Sequence, residues 1–215
     1  MTSPARVLRA ARKGGKRSSS TKRTLIDHAA TLFGDYGYAG TSLDEVVAAA
    51  RVTKGALYHH FSNKLDLFEN VFADCQRDAT ERIQKAVSQS QDAWERARLG
   101  LREYLLICRE PHYRRIVLQE GPVALGHERW HEAERAASLG IVEQIVTELL
   151  DDQDGSGEHA DAFSAVFYGA IRTAGDFVAD AEDPQHAAEQ VEGVIGVILT
   201  GMRSLSTLEA GFGAE

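Results

Sequence analysis

Apolar residues recur at spacings of three and four through almost the whole chain, and the breaks between these runs are short. The first run, Leu25, Ala29, Leu32, Phe33 and Tyr36, predicts a helix from about Thr21 to Tyr36 that Gly37 closes. Ser42-Leu43-Asp44-Glu45 then reads as a capping box, opening a second helix with Val46, Val47 and Ala50 turned inward. Arg51 and Val52 leave room only for a sharp turn before Thr53, whose hydroxyl can cap a third, short helix. Leu57 and Phe61 share its inner face, so Lys54, Tyr58, His59 and Lys64 are left to point outward. Two short helices, a tight turn and a polar outer face make a helix-turn-helix unit.

The rest of the pattern is helical too. Ser62 is expected to cap a long helix carrying Leu65, Phe68, Val71, Phe72 and Cys75 and running to near Ser88. A further helix, about Asp92 to Arg109, presents Leu101, Leu105 and Cys108 and stops at Pro111. Tyr113 to Gln119 gives a helical segment that Gly121-Pro122 is expected to cut, and a longer helix runs from His127 to about Leu150. Asp151 to Glu158 reads as a polar loop before two final helices, Ala160 to Ala181 and about Gln185 to Leu208. The last of these carries Val191, Val194, Ile195, Ile198, Met202 and Leu205. Both are apolar over more than the one-third face that a core-packed helix needs, so each is expected to bury an outer face against a second copy of the chain. The expected class is all-α, with a disordered basic arm over residues 1–20, a helix-turn-helix domain over 21–68 and a helical body over 69–215.

Charge sharpens this division. The net charge is −8, yet residues 1–64 carry eleven Lys and Arg against four acids, a net +7, and the remainder carries −15. A basic head on an acidic body suits a polyanion-binding module joined to a domain with another task. In the head, lysines offer charge, the phenol and imidazoles offer donors to phosphate oxygens, and Gly55 lets the backbone approach closely. The 43% hydrophobic content is ample for a core. No apolar run approaches the ~18 residues that a membrane span requires, and no secretory leader is legible. A soluble, cytoplasmic protein is expected. Cys75 and Cys108, lying in separate helices, read as buried reduced thiols.

Thr41-Ser42-Leu43-Asp44-Glu45-Val46-Val47, Val52-Thr53-Lys54-Gly55-Ala56-Leu57-Tyr58-His59-His60-Phe61, Asn63-Lys64 and Leu67-Phe68 together resemble the amino-terminal domain of TetR-type transcriptional regulators over about residues 24–72. The resemblance implies an all-α dimer of about nine helices, with a DNA-binding head and a body in which a small-molecule effector changes the spacing of the two heads. It implies a repressor acting on a palindromic double-stranded DNA operator. Thr53, Lys54, Gly55 and His59 fall where such proteins meet base edges or the groove floor, and Thr41, Tyr58, His60 and Lys64 fall at phosphate-contacting positions. Trp94, Tyr104, Tyr113, Trp130, Phe163, Phe167 and Phe177 are the candidate lining of an effector pocket between body helices.

One pattern points elsewhere. His127-Glu128-Arg129-Trp130-His131 places two imidazoles four apart on one helical face with a glutamate between, as a zinc-dependent hydrolase requires. No third ligand follows at a recognisable spacing and no strand offers an edge to an extended peptide, so a hydrolase is only the alternative. No Ser-His-Asp arrangement and no phosphate-cradling Gly-rich loop after a strand can be placed. The expectation is therefore a regulator, not an enzyme, with no cofactor and no metal.

Overall fold

The computed structural model describes the backbone of residues 4–151 and 160–212, and the side chains of residues 19–149 and 161–200. Among the described residues every element is helical: α1 (Pro4–Gly40), α2 (Leu43–Ala50), α3 (Lys54–His60), α4 (Lys64–Val87), α5 (Ala93–Arg109), α6 (Pro111–Tyr113), α7 (Gly121–Leu125), α8 (His127–Asp151), α9 (Ala160–Asp180) and α10 (Pro184–Phe212). A π-helical stretch, Arg114–Glu120, joins α6 to α7. None of these helices is long and apolar enough to cross a membrane.

The head is built as its pattern predicts, around Leu25, Ala29, Phe33, Val46, Leu57, Phe61 and Phe68, all within one core. Phe33 meets Phe68 edge-on at 5.2 Å between ring centroids, and Tyr38 meets Phe68 at 5.1 Å. These aromatic contacts lock α1 to α4. Ser42 and Glu45 form the expected capping box at the start of α2. Arg51 takes a left-handed conformation (φ 53°) between α2 and α3, which is the sharp turn the two-residue spacing demands.

Four expectations need correction. The backbone of α1 begins at Pro4 instead of Thr21, because Ala, Leu and Arg, all strong helix formers, dominate residues 5–12. The expected arm over 1–20 otherwise lies almost wholly outside the described side chains, as do the loop at 152–159, Met202 and Leu205. Tyr36, counted on the inner face of the first helix, is exposed. The cap of α4 is Asn63, whose side chain accepts from the Asp66 N–H at 2.9 Å, while the Ser62 N–H donates to the Asp66 carboxylate at 2.8 Å. Gly121-Pro122 does not cut the helical path. Pro122 sits in the first turn of α7, where a missing N–H costs little, and it is Gly126, at φ 80°, that turns the chain into α8.

In the body, α4, α5, α8, α9 and α10 pack around one another. Trp130 wedges α8 against the π-helical stretch, donating from Nε1 to the Val117 carbonyl at 2.9 Å. A π-helical turn leaves carbonyls out of the normal ladder, and this indole satisfies one of them. The close fit needs Gly121: a Cβ there would lie 2.9 Å from the Trp130 ring.

Candidate nucleic-acid interface and effector cavity

Thr53 caps α3 by accepting the Ala56 N–H at 3.2 Å, and Leu57 and Phe61 seat the helix on the head core. This rigid seat leaves Lys54, Gly55, Tyr58 and His59 in solvent on one exposed face, Tyr58 at 58%. His60 is half-buried, its ring edge-on to His59 at 5.0 Å. Burial, then His59, then Lys22 push the His60 imidazole below its ordinary value. Lys54 pairs with Asp44 at 2.8 Å, and its pKa is raised by that hydrogen bond and charge. Both partners are largely exposed, so the pair is weak and the lysine is free to exchange it for another anion. Lys64 stacks over the Tyr38 ring at 4.5 Å and reaches the Ala39 carbonyl at 3.4 Å. This holds its ammonium beside the start of α2.

Thr41 requires a correction. It is only 3% exposed, and its hydroxyl is engaged by the carbonyls of Leu32 at 3.0 Å and Gly37 at 2.9 Å. The side chain joins the end of α1 to the start of α2 and is not offered to a phosphate. Lys22, by contrast, escaped sequence reasoning. It stands 5.6 Å from the Phe61 ring, next to the end of α3, but thirty-eight positions from His60 in the chain, where only the fold reveals the proximity.

A cavity of about 350 Å³ lies within the body, a size fit for a small molecule. Tyr104, Tyr113, Phe163 and Phe167 line it as expected. The other three candidates do not. Trp94 packs against a separate small cluster with Val87, Ile145 and Leu149, Trp130 is buried against Val117, and Phe177 is 53% exposed on the outside of α9. Helical periodicity places an aromatic on a helix, but the rotation of that helix about its axis decides which one meets the cavity.

Polar residues that aromatic counting could not single out also line the cavity, Gln76, Thr80, Glu134, Ser138 and Arg172, together with Tyr168, an aromatic outside the expected set. Glu134 is 6% exposed, and burial, reinforced by Asp176, pushes its carboxyl up to about 8. It is therefore neutral at pH 7. Arg172 is engaged by Asp176 at 3.0 Å. Gln76 Nε2 is buried with no hydrogen-bond partner, and the buried Tyr168 hydroxyl has only a loose contact with Ser138.

The His127 and His131 rings lie in contact, Nε2 to Nε2 at 3.0 Å, on the exposed start of α8. They share a hydrogen bond with each other, and among the described residues no three His, Cys, Asp or Glu gather into a metal site. Two ligands fall short of the three a catalytic zinc takes.

A family model described as "Bacterial regulatory proteins, tetR family" matches residues 25–71, and one described as "Tetracyclin repressor-like, C-terminal domain" matches residues 94–202. The TetC protein of transposon Tn10 from Escherichia coli is 28% identical over 156 residues, 70% of this chain and 76% of that protein. The negative transcriptional regulator IcaR of the biofilm operon icaADBC in Staphylococcus epidermidis is 37% identical over 54 residues, 25% of this chain and 29% of IcaR. A solved TetR-family transcriptional regulator from Pectobacterium atrosepticum superposes with a TM-score of 0.74 at 28% identity, covering 87% of this chain and 96% of that one.

Proposed function

The chain belongs to the TetR family of bacterial transcriptional regulators, DNA-binding proteins and not enzymes, and on that premise we propose that it is a homodimeric repressor that occludes a palindromic operator and leaves it when a small molecule fills the body cavity. The observation that carries the reading is the rigidly seated outer face of α3, with Lys54, Gly55, Tyr58 and His59 exposed beside a cavity-bearing body. Thr53, Lys54, Gly55 and His59 read base edges or the groove floor, and Tyr58, His60 and Lys64 hold phosphates, with Lys22 added from the fold. The repressing sign is supported by IcaR, a negative regulator matched through the head.

One seven-residue helix reads too few bases for useful specificity, so two heads on two half-sites are the natural arrangement. The face that would join them is an apolar stripe left in solvent by the single chain: Val166 and Phe177 on α9, and Val194, Val197 and Ile198 on α10, Val197 at 74% exposure. Val166 and Ile198 also line the cavity, so a partner seated on this face narrows the cavity mouth.

A structural path links the cavity to the head. Tyr113 lines the cavity at the end of α6 and leads directly into the π-helical stretch. There Arg115 and Glu120 pair at 3.0 Å against Gly37 of α1, while His112 packs on Gly34. A π-helical stretch is rare and is frequently found at functional sites. An effector that pushes on Tyr113 shifts this joint, and with it the angle at which α1 carries the head. Whatever affinity for DNA the effector removes, DNA removes equally from the effector. The direct test is operator preference. Lys54→Ala or His59→Ala should change which operator sequence is bound, and a profile identical to that of the unaltered protein would count against base reading by α3.

A further inference from the structure

The cavity's polar residues are grouped, and their chemistry is lopsided. Tyr104, Tyr113 and Tyr168 all lie within electrostatic reach of the Glu134 carboxyl group, and Tyr113 donates to Gln76 Oε1 at 3.5 Å, so these groups form one cluster. Elsewhere the lining is mostly apolar, with Ile83, Ala97, Ile141, Ile145 and Leu199 making an aliphatic wall. An amphipathic ligand would place a polar head at the cluster and a hydrocarbon body along the aliphatic wall.

The cluster is short of acceptors. Gln76 Nε2 is a donor buried without a partner, and the Tyr168 hydroxyl, also buried, has only a loose contact with Ser138; both residues line the cavity. Glu134, protonated at pH 7, adds a third donor to the same cluster. A buried donor left without a full hydrogen bond is destabilising, so each is a standing demand for a ligand oxygen. Formal charge is nearly balanced here, because Arg172 and Asp176 neutralise one another. Neither a cation nor an anion finds a free counter-charge.

We propose that the cavity selects uncharged, largely apolar effectors that carry a carbonyl or equivalent bare oxygen acceptor, taken by Gln76 Nε2 and the Tyr168 hydroxyl, with the hydrocarbon part lying along Ile83, Ile141 and Ile145. The assignment rests on the reading of this cavity as the effector site. A molecule with a phenyl ring and a short ketone chain has the required size and polarity.

The test is isothermal titration calorimetry of the full-length protein at pH 7 with four probes on one skeleton: 4-phenylbutan-2-one, butylbenzene, 4-phenylbutan-2-amine and 4-phenylbutanoate. The ketone should bind roughly tenfold tighter than the hydrocarbon and than either ion, as one or two well-made hydrogen bonds provide. Gln76→Leu and Tyr168→Phe should each bring the ketone down toward the hydrocarbon's affinity. Equal binding of ketone and butylbenzene overturns the proposal while leaving the cavity as a binding site. Tightest binding of the amine overturns it by making Glu134 a counter-ion, and tightest binding of the carboxylate does so in favour of Arg172. Failure of all four probes to bind removes both the proposal and the effector-site reading beneath it.

Discussion

Replacing Gly37 by alanine tests the joint between head and body. Gly37 sits at φ 74° and ψ 173° inside α1, a conformation almost exclusive to glycine. Forcing an alanine into it costs ~1–3 kcal/mol in backbone strain alone. The new Cβ would also stand 2.3 Å from Glu120 Oε1 and 2.7 Å from the Arg115 guanidinium, so the ion pair must move away from α1. That pair is part-exposed, which limits its loss to at most ~1 kcal/mol. The total is about 1–4 kcal/mol. For a chain of this length each kcal/mol moves the unfolding midpoint by about 2–4 °C, so Gly37→Ala should unfold roughly 2–16 °C lower. Circular dichroism melts at one fixed protein concentration measure this, the concentration being held because any self-association would add to stability. Gly40→Ala is the control: its Cβ meets nothing nearer than the Tyr36 Cβ at 3.4 Å, and its φ is ordinary, so it should be close to neutral. A Gly37→Ala protein melting within about 1 °C of the unaltered one would refute the claim that this backbone position is held in a strained, glycine-only state.

Four further outcomes follow from the same geometry. Lys64→Ala should weaken binding to every DNA sequence and flatten the salt dependence by about one phosphate's worth; an unchanged slope in a filter-binding titration would remove Lys64 from the interface. Thr41→Val should lower stability by ~1–3 kcal/mol by leaving the Leu32 and Gly37 carbonyls without that donor, yet leave the salt slope untouched; a lowered slope would restore Thr41 to the phosphate set. The Glu134 carboxyl, raised in the folded state to about 8, binds a proton that the unfolded chain releases near its ordinary value, so its contribution to stability falls as pH rises through that window by about 1.4 kcal/mol per unit of displacement. Glu134→Gln should therefore gain stability relative to the unaltered protein between pH 5 and 8, and a parallel pair of melting profiles would contradict this. Phosphate favours an imidazolium, and His60 starts below its ordinary value, so DNA binding takes up protons and should tighten as pH falls from 8 to 6; His60→Gln should flatten that profile, and an unaltered one would place His60 off the backbone.

The head was legible because its signals are local. The capping box at Ser42, the Thr53 cap and the Leu57 and Phe61 pair each depend on residues within four positions, and each stands where periodicity put it. What failed depends on distance. Thr41 looks like a phosphate contact until the turn at Gly37 brings two carbonyls onto its hydroxyl. Ser62 and Asn63 are both competent caps, and the pattern cannot choose between neighbours one residue apart. Pro122 looks like a break in the sequence because the seven-residue π-helical stretch before it has no period that the sequence displays. In the body, seven aromatics were equally placed, and only the packing of α5, α6, α8 and α9 separates Tyr104 and Phe163 from Trp130 and Phe177. Gln76, Glu134 and Tyr168 come from three helices and share no motif at all.

A dimer that reads an operator through α3 can be sought by selecting bound sequences from a random DNA pool with the full-length protein at near-physiological salt. Such a dimer should enrich one inverted repeat whose half-site spacing reports the distance between the two heads. Recovery of no enriched sequence, or of an isolated half-site bound by a single chain, would contradict it.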